Sequence, residues 1–543
     1  MILARATACD NFRSATEQSQ VNAHMRDRTA PIAMTPDEFR SLGHGLVDAL
    51  SDFLGELPAR KVSPGQTPAA VRAALGSTAT LPRDGTSPDL LLTETLTMLA
   101  ASQTLNSHPR FWGYITASPA PIGILADLLV STLNPNLGLW HMSPMATEIE
   151  RQTVRWIAEL IGYVPTGGDS GGVMSSGGQM ANYIGFLAAR RARTPWDVRA
   201  QGMAPDGAPR LRVYASTQTH AWLNAAVDLF GLGADALRWI PTTADLTMDL
   251  SALRTELRND LAQGDIPFLV VGTAGSVSTG VIDPLPELAA ICREHGLWFH
   301  VDAAYGGFAA ALPDPPAALR GLREADSVAV DPHKWLYAPL DAGCTLVRDL
   351  NVLGETFSTR PDYYRAAEED AGEDLFEIGP ENSRRFRALK VWLALRQVGR
   401  DGYERMIADD IALARELFAR VVAHEDLEEW TQSLSITTFR YVPSDLRDQT
   451  AEHAEYLNAL NRLVLTRLQE GGEAFVSHAV VQGTFLLRAC VVNFRTTLDD
   501  IAALPHLVAS IGADANRELR EAGRATDVPH SGNHAGLSGS SRG

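Results

Sequence analysis

Between about residues 123 and 400, short apolar runs alternate with amphipathic helical stretches. The runs are LRVYAS, FLVVGTA, LWFHVDAAY, SVAVDPHKW and AGCTLV, and TEIERQTVRWIAELIGY is one of the helical stretches. Short apolar runs separated by helices are typical of strands that are buried on both faces. The pattern therefore predicts an α/β fold with a mostly parallel central sheet, covered on both faces by helices.

The segments on either side of this region have different patterns. From about Thr35 to Leu105, apolar residues recur at three- and four-residue spacings, which indicates helices. After about Arg400, a long helical stretch precedes the strand-like LSITTFRYV and TFLLRACVVNF, which indicates a smaller α+β domain. Both termini are polar, and Met34 is a candidate start. We predict a disordered extension (1–33), an N-terminal helical segment (34–115), a large domain (116–400), a small C-terminal α+β domain (401–518) and a disordered tail (519–543).

Composition and charge restrict the partners of such a chain. The formal net charge is −18 and the pI is about 5.2, a balance that repels nucleic acids and anionic membrane surfaces. The apolar runs are shorter than the ~18–20 residues that span a bilayer. The cysteines, Cys9, Cys292, Cys344 and Cys490, lie far apart and form no metal-binding or disulfide pattern. We therefore predict a cytoplasmic protein without a metal site and without nucleic-acid or membrane partners.

The motif VAVDPHKWLY places a lysine directly after an apolar run. Lys334 follows Asp331, Pro332 and His333 at the end of the strand predicted for SVAV. In open α/β sheets, ligands collect at the carboxyl ends of the strands. Because most lysines are solvated surface charges, the other motifs decide whether this one is catalytic.

An aspartate at the end of a second apolar run supports a catalytic lysine. Asp302 ends the run LWFHVD. A carboxylate buried there is costly unless it pairs with a cation, and a protonated pyridine nitrogen is such a cation. That pairing keeps the pyridine ring able to accept electrons from a substrate carbon. The alternative is a helix N-cap or turn aspartate, but Lys334 favours the pyridine partner.

Two polar turns also follow predicted strands. In VMSSGGQMAN, the small residues from Ser175 to Gln179 lead into a helix, whose free NH groups suit a phosphate. His220 lies in the turn TQTHAW after LRVYAS, where its imidazole can lie flat on a cofactor ring. Many glycine-rich turns are only turns, and many lone histidines are structural. Each motif is therefore informative mainly beside Lys334 and Asp302.

A series of motifs runs through the chain in the order HPRFWGY, SPMATEIE, SSGGQMAN, TQTHAWLN, HVDAAYGG, DPHKWL and SRRFRALKVWLALR. With these motifs the chain resembles the pyridoxal-phosphate-dependent group II amino-acid decarboxylases, over roughly residues 34 to 515. Within that group it most resembles the aromatic-L-amino-acid decarboxylase branch, which includes the aromatic aldehyde synthases. The resemblance implies pyridoxal 5'-phosphate (PLP) as the cofactor, the type I aspartate-aminotransferase fold, and a homodimer with its sites at the interface.

The resemblance also implies roles for individual segments and residues. It makes 34–115 a dimerisation segment and 116–400 the PLP-binding domain. Lys334 is implied to bind PLP covalently, Asp302 to contact the pyridine nitrogen, and His220 and Ala304 to lie on the two faces of the ring. His220, Lys334 or a loop residue would protonate the substrate Cα. Further cofactor contacts are implied for Gly177, Gly178, Gln179, Ser276 and His333, and a place in the substrate pocket for Tyr114, Trp140 and His141.

The chain departs from the family pattern at several positions. Gly178 and Gln179 stand where Ser or Thr is frequent, and Asp331 stands where Asn is frequent. A carboxylate near a phosphate is repelled unless it points away or pairs with a cation. His141, beside Trp140, stands where a small residue is usual. It either hydrogen-bonds a polar group of the substrate or is a core histidine.

The segment 357–383 corresponds to the family's mobile loop, where decarboxylases place a tyrosine that protonates Cα. Counting back from the end of this segment, Leu375 or Phe376 occupies that place here, and Tyr363 and Tyr364 lie nearer its start. In the aromatic aldehyde synthases, loss of that tyrosine diverts the reaction to aldehyde, ammonia and hydrogen peroxide. The sequence therefore leaves two outcomes open for one site.

We predict PLP-dependent decarboxylation of an L-amino acid, with an aromatic substrate and an amine product as first choice. The alternatives are an aromatic aldehyde synthase and a decarboxylase of an acidic amino acid. An aminotransferase usually needs an arginine for the α-carboxylate, and a cysteine desulfurase needs a mobile nucleophilic cysteine, whereas Cys344 lies in the strand-like AGCTLV. A PLP-binding regulator needs a basic helix-turn-helix segment, and the negative charge argues against one.

Overall fold

The structure is a computed structural model that describes residues 30–164, 170–359 and 374–526. The helices are, in chain order, α1 (Pro36–Glu56), α2 (Pro68–Leu75), α3 (Pro88–Ser102), α4 (Pro121–Leu133), α5 (Pro144–Leu160), α6 (Gly178–Arg193), α7 (Val198–Gln201), α8 (Trp222–Leu229), α9 (Leu250–Ala262), α10 (Leu285–His295), α11 (Pro332–Trp335), α12 (Asn351–Phe357), α13 (Ala388–Val422), α14 (Ala454–Gly471) and α15 (Leu498–Thr526). The strands are β1 (Phe111–Trp112), β2 (Gly171–Ser175), β3 (Leu211–Ser216), β4 (Leu237–Ile240), β5 (Ile266–Thr273), β6 (Trp298–Asp302), β7 (Ser327–Val330), β8 (Gly343–Val347), β9 (Leu427–Ser433), β10 (Ile436–Tyr441), β11 (Phe475–Val481) and β12 (Thr484–Cys490).

The chain divides into two compact units. One comprises the residues up to Leu57 together with Arg72–Ala101, and the other comprises Pro58–Val71 and the chain from Ser102 onward. In the first unit, α1 begins at a capping box in which Thr35 and Glu38 each accept a hydrogen bond from the other's backbone NH. This start agrees with the helical pattern predicted from about Thr35. Both β-sheets and every predicted site residue lie in the second unit.

The central sheet of the second unit has seven strands in the order β2-β8-β7-β6-β5-β3-β4. The pairs β3–β4, β3–β5, β5–β6 and β6–β7 are parallel, and β8 runs antiparallel to both of its neighbours. The predicted mostly parallel α/β sheet is therefore confirmed. All of the apolar runs chosen from the sequence are strands of this sheet.

Both faces of this sheet are buried. On β3, Val213 and Ala215 belong to the apolar cluster that includes α6 and α8, whereas Tyr214 belongs to the cluster that includes α5, α10 and α13. Successive side chains of a strand point to opposite faces, so a strand covered on both faces needs apolar residues at every position. This explains why the strands read as continuous apolar runs.

The second sheet has five strands in the order β1-β11-β12-β10-β9. Two of them, β10 and β12, coincide with the predicted strands LSITTFRYV and TFLLRACVVNF. β1 lies within the segment 34–115 that was predicted to be helical, and it pairs with β11. Helix α15 continues to Thr526, so residues 519–526 of the predicted disordered tail are helical. Leu519 packs against the apolar cluster around β10, and Arg520 forms an ion pair with the Asp445 carboxylate. These two contacts explain why the helix continues beyond residue 518.

None of the helices in the described residues is both long and apolar enough to cross a membrane. Cys292, Cys344 and Cys490 are free and buried, whereas Cys9 lies outside the described residues. Cys344 lies in β8, as predicted, and burial raises the pKa of its thiol. A thiol in this position is poorly suited to act as the mobile nucleophile of a desulfurase.

The segment after Lys334 is anchored to α13 by one buried carboxylate. Asp410 Oδ2 accepts hydrogen bonds from Trp335 Nε1 at 2.8 Å and from the Tyr337 hydroxyl at 2.7 Å. Trp335 also stacks on Tyr305, with ring centroids 5.1 Å apart. Burial raises the pKa of Asp410 to about 7, although the two hydrogen bonds oppose the shift. Ionisation of Asp410 in the folded protein is therefore costly.

Asp410 makes the stability of the fold depend on pH. A carboxyl whose folded pKa lies above its unfolded pKa contributes most stability at low pH, and the contribution is lost as the pH rises through the folded value, here about 7. We expect D410N, which keeps an acceptor oxygen but cannot ionise, to gain roughly 2–4 kcal/mol relative to the wild type between pH 4.5 and 7.5. Urea unfolding at several pH values measures this difference. The neighbouring exposed D409N is the control, and a pH-independent difference for D410N contradicts the prediction.

Candidate functional site

The carboxyl ends of the parallel strands border a pocket of about 350 Å³. Parallel strands end at the same edge of a sheet, so the residues that follow β3, β5, β6 and β7 meet there. The five-stranded sheet closes the other side of the pocket with Tyr114, which follows β1, with Ser477 and His478 on β11, and with Arg488 on β12. The lining residues include Tyr114, Ile115, Gly178, Gln179, Asn182, His220, Thr273, Val277, Asp302, Ala304, Asp331, Lys334, Ser477, His478 and Arg488.

Lys334 lies on the one-turn helix α11, directly after β7, and its amine lines the pocket. Its Nζ is 2.9 Å from Asp331 Oδ2, and the two side chains are 20% and 2% exposed. Among the described residues, Asp331 Oδ1 has no hydrogen-bond partner. Asp331 thus pairs with a cation, which is the arrangement that the sequence required for a carboxylate near a phosphate.

Asp302 ends β6 and is held by two donors. Its Oδ2 accepts a hydrogen bond from Trp222 Nε1 at 2.8 Å, and its Oδ1 accepts one from the Ala304 backbone at 3.2 Å. The carboxylate is 7% exposed, and it lines the pocket together with Ala304. The two hydrogen bonds fix the orientation of the carboxylate at this strand end.

His220 follows β3 and is exposed towards the pocket. Its Nδ1 lies 3.2 Å from the Trp222 backbone nitrogen, which donates a hydrogen bond to it. Because Nδ1 is an acceptor, the proton of the neutral ring is assigned to Nε2. The ring orientation is therefore fixed by the first residue of α8.

The turn between β2 and α6 contributes Gly178 and Gln179 to the pocket. A Cβ on Gly178 would lie 2.5 Å from Asp331 Oδ2 and 3.0 Å from the Ala304 methyl. Only glycine leaves this corner open, at a helix N-terminus whose NH groups suit an anion. Gln179 Nε2 donates to the Tyr183 hydroxyl at 2.9 Å, so this amide is held by α6 itself.

Three of the predicted cofactor contacts lie beside the pocket but do not line it. Ser276 Oγ is 2.9 Å from Thr279 Oγ1 within a buried turn. His333 Nδ1 accepts a hydrogen bond from the Ala342 backbone, and burial lowers the pKa of its imidazole. A Cβ on Gly177 would lie 3.1 Å from the His333 ring, so these two residues are neighbours. Their predicted phosphate contacts stay predictions.

Of the predicted substrate-pocket residues, one chain brings only Tyr114 to the pocket. Trp140 and His141 lie in a one-turn helix at Trp140–Met142. Trp140 donates from its backbone to Asp374 Oδ1 and from Nε1 to Glu148 Oε1, both at 2.8 Å. Their proposed contact with a substrate therefore stays a prediction that requires a second subunit.

The segment 357–383, where the chain departs from the family pattern, is described only up to residue 359 and from residue 374. Leu375 and Phe376 are buried, and Leu375 belongs to the main apolar cluster. Neither lines the pocket, and neither side chain can donate a proton. Tyr363 and Tyr364 lie outside the described residues.

The sequence analysis missed the arginine that faces the pocket. Arg488, on β12, is 2% exposed, and its Nη1 donates to Ser477 Oγ at 2.7 Å. Its Nε and Nη2 have no hydrogen-bond partner among the described residues. A buried guanidinium with free donors is costly unless an anion binds it. The signal was a single charge inside the apolar run TFLLRACVV.

The pocket fits the predicted cofactor. The aldehyde of PLP requires an amine, and its protonated ring nitrogen requires a carboxylate. Its flat ring requires an apolar contact, and its phosphate requires an anion site. Lys334, Asp302, Ala304 and the open corner at Gly178 supply these groups around one cavity. The residues of this chain are therefore suited to hold PLP.

Comparison with known proteins agrees with this geometry. Residues 65–442 match the model of the pyridoxal-dependent decarboxylase conserved domain. The chain is 31% identical to an aromatic-L-amino-acid decarboxylase of Bacillus atrophaeus, covering 89% of this chain and 98% of that protein. It is 29% identical to a phenylacetaldehyde synthase of a Rosa hybrid cultivar, covering 84% and 91%. The crystal structure of Oryza sativa TDC with PLP and tryptamine superposes with a TM-score of 0.82 at 29% identity, covering 90% and 99%.

These matches cover nearly the whole described chain and agree in fold, cofactor and reaction class. They confirm the predicted type I fold, PLP as the cofactor, and the enzyme class of PLP-dependent amino-acid decarboxylases. The chain therefore belongs to the pyridoxal-dependent decarboxylase family.

Proposed function

We propose that the protein decarboxylates an aromatic L-amino acid and releases the amine and CO2. The observation that carries this proposal is an exposed aromatic side chain in the pocket lining, that of Tyr114. Its ring lies 6.3 Å from that of Phe475, which stacks on Phe111 at 5.2 Å between ring centroids, so two further rings support it from outside the pocket. An aromatic substrate side chain packs favourably against an exposed ring such as that of Tyr114.

In this proposal, the residues of the pocket divide the binding of the cofactor among them. Lys334 would bind PLP covalently, and Gly178 and Gln179 would bind its phosphate at the start of α6. Asp302 would hold a proton at the ring nitrogen, and Ala304 and His220 would contact the ring. When bound, PLP supplies an acceptor for the electron pair that remains on Cα as CO2 leaves.

Protonation of Cα completes the reaction. Lys334 Nζ and His220 Nε2 are the candidate donors, because both groups line the pocket. Asp331 Oδ2 lies 2.9 Å from Nζ and orients the Lys334 amine. Leu375 and Phe376 cannot take this role, so the proposal assigns it to Lys334 or His220.

Arg488 is proposed to bind the substrate carboxylate through its free Nε and Nη2. Arginine binds carboxylates through two parallel hydrogen bonds, and burial strengthens such contacts. The carboxylate loses its charge as CO2 leaves. The contact therefore stabilises the bound substrate more than the transition state, and it affects KM more than kcat.

We expect R488K to raise KM for the amino acid about 10- to 100-fold, with a smaller change in kcat, because lysine keeps the charge but cannot bind bidentately. Steady-state kinetics measures both constants. Affinity for the product amine, which lacks the carboxylate, is expected to stay unchanged. The matched control is R440K on the adjacent β10, since Arg440 is buried against Glu428 and does not line the pocket. An unchanged KM for R488K, or equal weakening of the amine, contradicts the assignment.

The same site could release the substrate nitrogen either in the amine or as ammonia beside an aldehyde. The absence of a proton donor at Leu375 and Phe376, and the similarity to a phenylacetaldehyde synthase, favour an aldehyde synthase as the second candidate. An acidic substrate is the third, because Arg488 can also bind a side-chain carboxylate. All three candidates release CO2. The second also consumes O2 and water and gives aldehyde, ammonia and hydrogen peroxide in place of the amine, whereas the third differs from the first only in its substrate.

The test of the proposed function is an assay of the PLP-loaded protein with a panel of aromatic and acidic L-amino acids. CO2, amine, aldehyde and peroxide are measured together. We expect CO2 and amine in equal amounts, without peroxide, and the highest kcat/KM for an aromatic substrate. Aldehyde and peroxide in step with CO2 establish the second candidate, and preference for glutamate or aspartate establishes the third. No CO2 from any amino acid refutes the proposed function.

We also infer that the working unit is a homodimer that buries the outer face of α4. Its side chains Ile124, Leu125, Leu128, Leu129 and Leu133 are between 37% and 73% exposed. A contiguous apolar face of this kind on one helix indicates an interface, and a twofold pair is the commonest homo-oligomer. Helix α4 begins next to the Lys334 segment, since Ala120 donates a backbone hydrogen bond to the Tyr337 carbonyl. A second copy at α4 would thus lie near the site.

We expect L128E to shift the protein from dimer to monomer, because a glutamate at the centre of this face cannot be desolvated without a partner. Sedimentation velocity measures the change. L261E on α9, where an exposed leucine lies outside the α4 face, is the control. A wild-type protein that is already monomeric at micromolar concentration overturns the inference.

A further inference from the structure

Trp222 touches two of the proposed cofactor contacts at once. Its indole Nε1 donates to Asp302 Oδ2 at 2.8 Å, and its backbone nitrogen donates to His220 Nδ1 at 3.2 Å. The side chain is 1% exposed and does not line the pocket. Trp222 therefore connects the Asp302 carboxylate, which is proposed to contact the ring nitrogen, with the His220 imidazole, which is proposed to contact the ring face.

The surroundings of the indole restrain it from both sides. Tyr183 packs against it edge to face at 6.4 Å, and the Tyr183 hydroxyl accepts a hydrogen bond from Gln179 at 2.9 Å. His300 packs on it at 5.9 Å and 82°. Burial lowers the pKa of His300 to about 4, so this neighbour is neutral at physiological pH. The indole NH is thus held on Asp302 by uncharged, tightly packed rings.

We propose that Trp222 is a positioning residue whose indole holds the Asp302 carboxylate in the orientation that would meet the ring nitrogen of the cofactor. Its backbone NH, which any residue except proline would supply, orients the His220 ring. The proposal rests on the proposed role of Asp302 at the ring nitrogen. Trp222 acts through Asp302 and His220 and does not itself touch the cofactor.

The hydrogen bond to Asp302 has a defined geometric effect. The indole donor on Oδ2 and the Ala304 backbone donor on Oδ1 together fix the rotation of the carboxylate. A carboxylate held in one orientation would keep the nitrogen of a bound pyridine ring protonated, and a protonated ring supplies the electron withdrawal that the reaction needs. Without the indole donor the carboxylate can rotate, so we expect both cofactor affinity and turnover to fall.

The test compares two cofactors on the full-length apo chain. PLP has the ring nitrogen, and 1-deazapyridoxal 5'-phosphate has a CH group in its place. We expect W222F to weaken PLP binding about 10- to 100-fold, the range of a hydrogen bond to a charged group. The same variant should change affinity for the deaza cofactor less than about threefold, since that ring offers no proton to Asp302. Equilibrium dialysis measures all four dissociation constants.

Two further variants separate the hydrogen bond from packing. In W222H, imidazole Nε2 can occupy the position of indole Nε1, because the five-membered rings share their geometry. We expect W222H to recover most of the PLP affinity that W222F loses. W298F is the matched control: Trp298 is a buried tryptophan of β6 whose Nε1 donates to Ser327 at 2.8 Å and not to Asp302. We expect W298F to bind both cofactors like the wild type.

The outcomes are distinct. Equal weakening of PLP and deaza binding in W222F, or no recovery in W222H, means that Trp222 serves only packing and overturns the inference. Equal affinity of the wild type for the two cofactors shows that Asp302 does not meet the ring nitrogen, and the inference then falls with that role. If W222F does not fold, the ratio of PLP to deaza affinity in W222H decides, and a ratio far below that of the wild type overturns the inference.

Discussion

The parallel pairing of β3, β5, β6 and β7 is the constraint on which the rest of the site depends. It brings four strand ends to one edge, where they or the residues just after them supply polar pocket residues: His220, Thr273, Asp302 and Asp331. Ladder register sets their spacing, since Thr273 pairs with Asp302 and Asp302 pairs with Ala329. The strand ladders therefore set the backbone positions of these residues, and the hydrogen bonds of their side chains set the orientation of the functional groups.

Among the charged groups that line the described pocket, one arginine on the opposite wall has no ionic partner. The Lys334 amine is paired with Asp331, and the Asp302 carboxylate receives two hydrogen bonds. Arg488 alone keeps free donors among these charges of the described pocket. Because an unpaired buried charge is costly, the folded protein bears a cost at the point where a substrate anion would relieve it. Arg488 thus lowers the stability of the unliganded protein, and in the proposed function it raises the affinity for the substrate carboxylate.

Five of the seven strands of the central sheet (β3, β5, β6, β7 and β8) could be predicted from the sequence because strands buried on both faces are continuous apolar runs. β9 could not, because its sequence LEEWTQS carries charges that suit an edge strand, as the structure shows. Lys334, Asp302 and His220 could be found because each follows a strand, whereas Arg488 lies inside one. Trp222 was passed over because a buried tryptophan at a helix start is usually only core, and its contact with Asp302 spans 80 residues of chain.

The walls of the pocket come from both sheets. Lys334, Asp302 and Gly178 belong to the edge of the central sheet, whereas Ser477 and Arg488 belong to the five-stranded one. A ligand that contacts both walls binds only molecules in which both sheets are folded and in place. At a hundredfold excess over its dissociation constant, such a ligand adds about 2.7 kcal/mol to the stability of that state. A cofactor on one wall and a substrate anion at Arg488 on the other would therefore couple the stability of the two sheets.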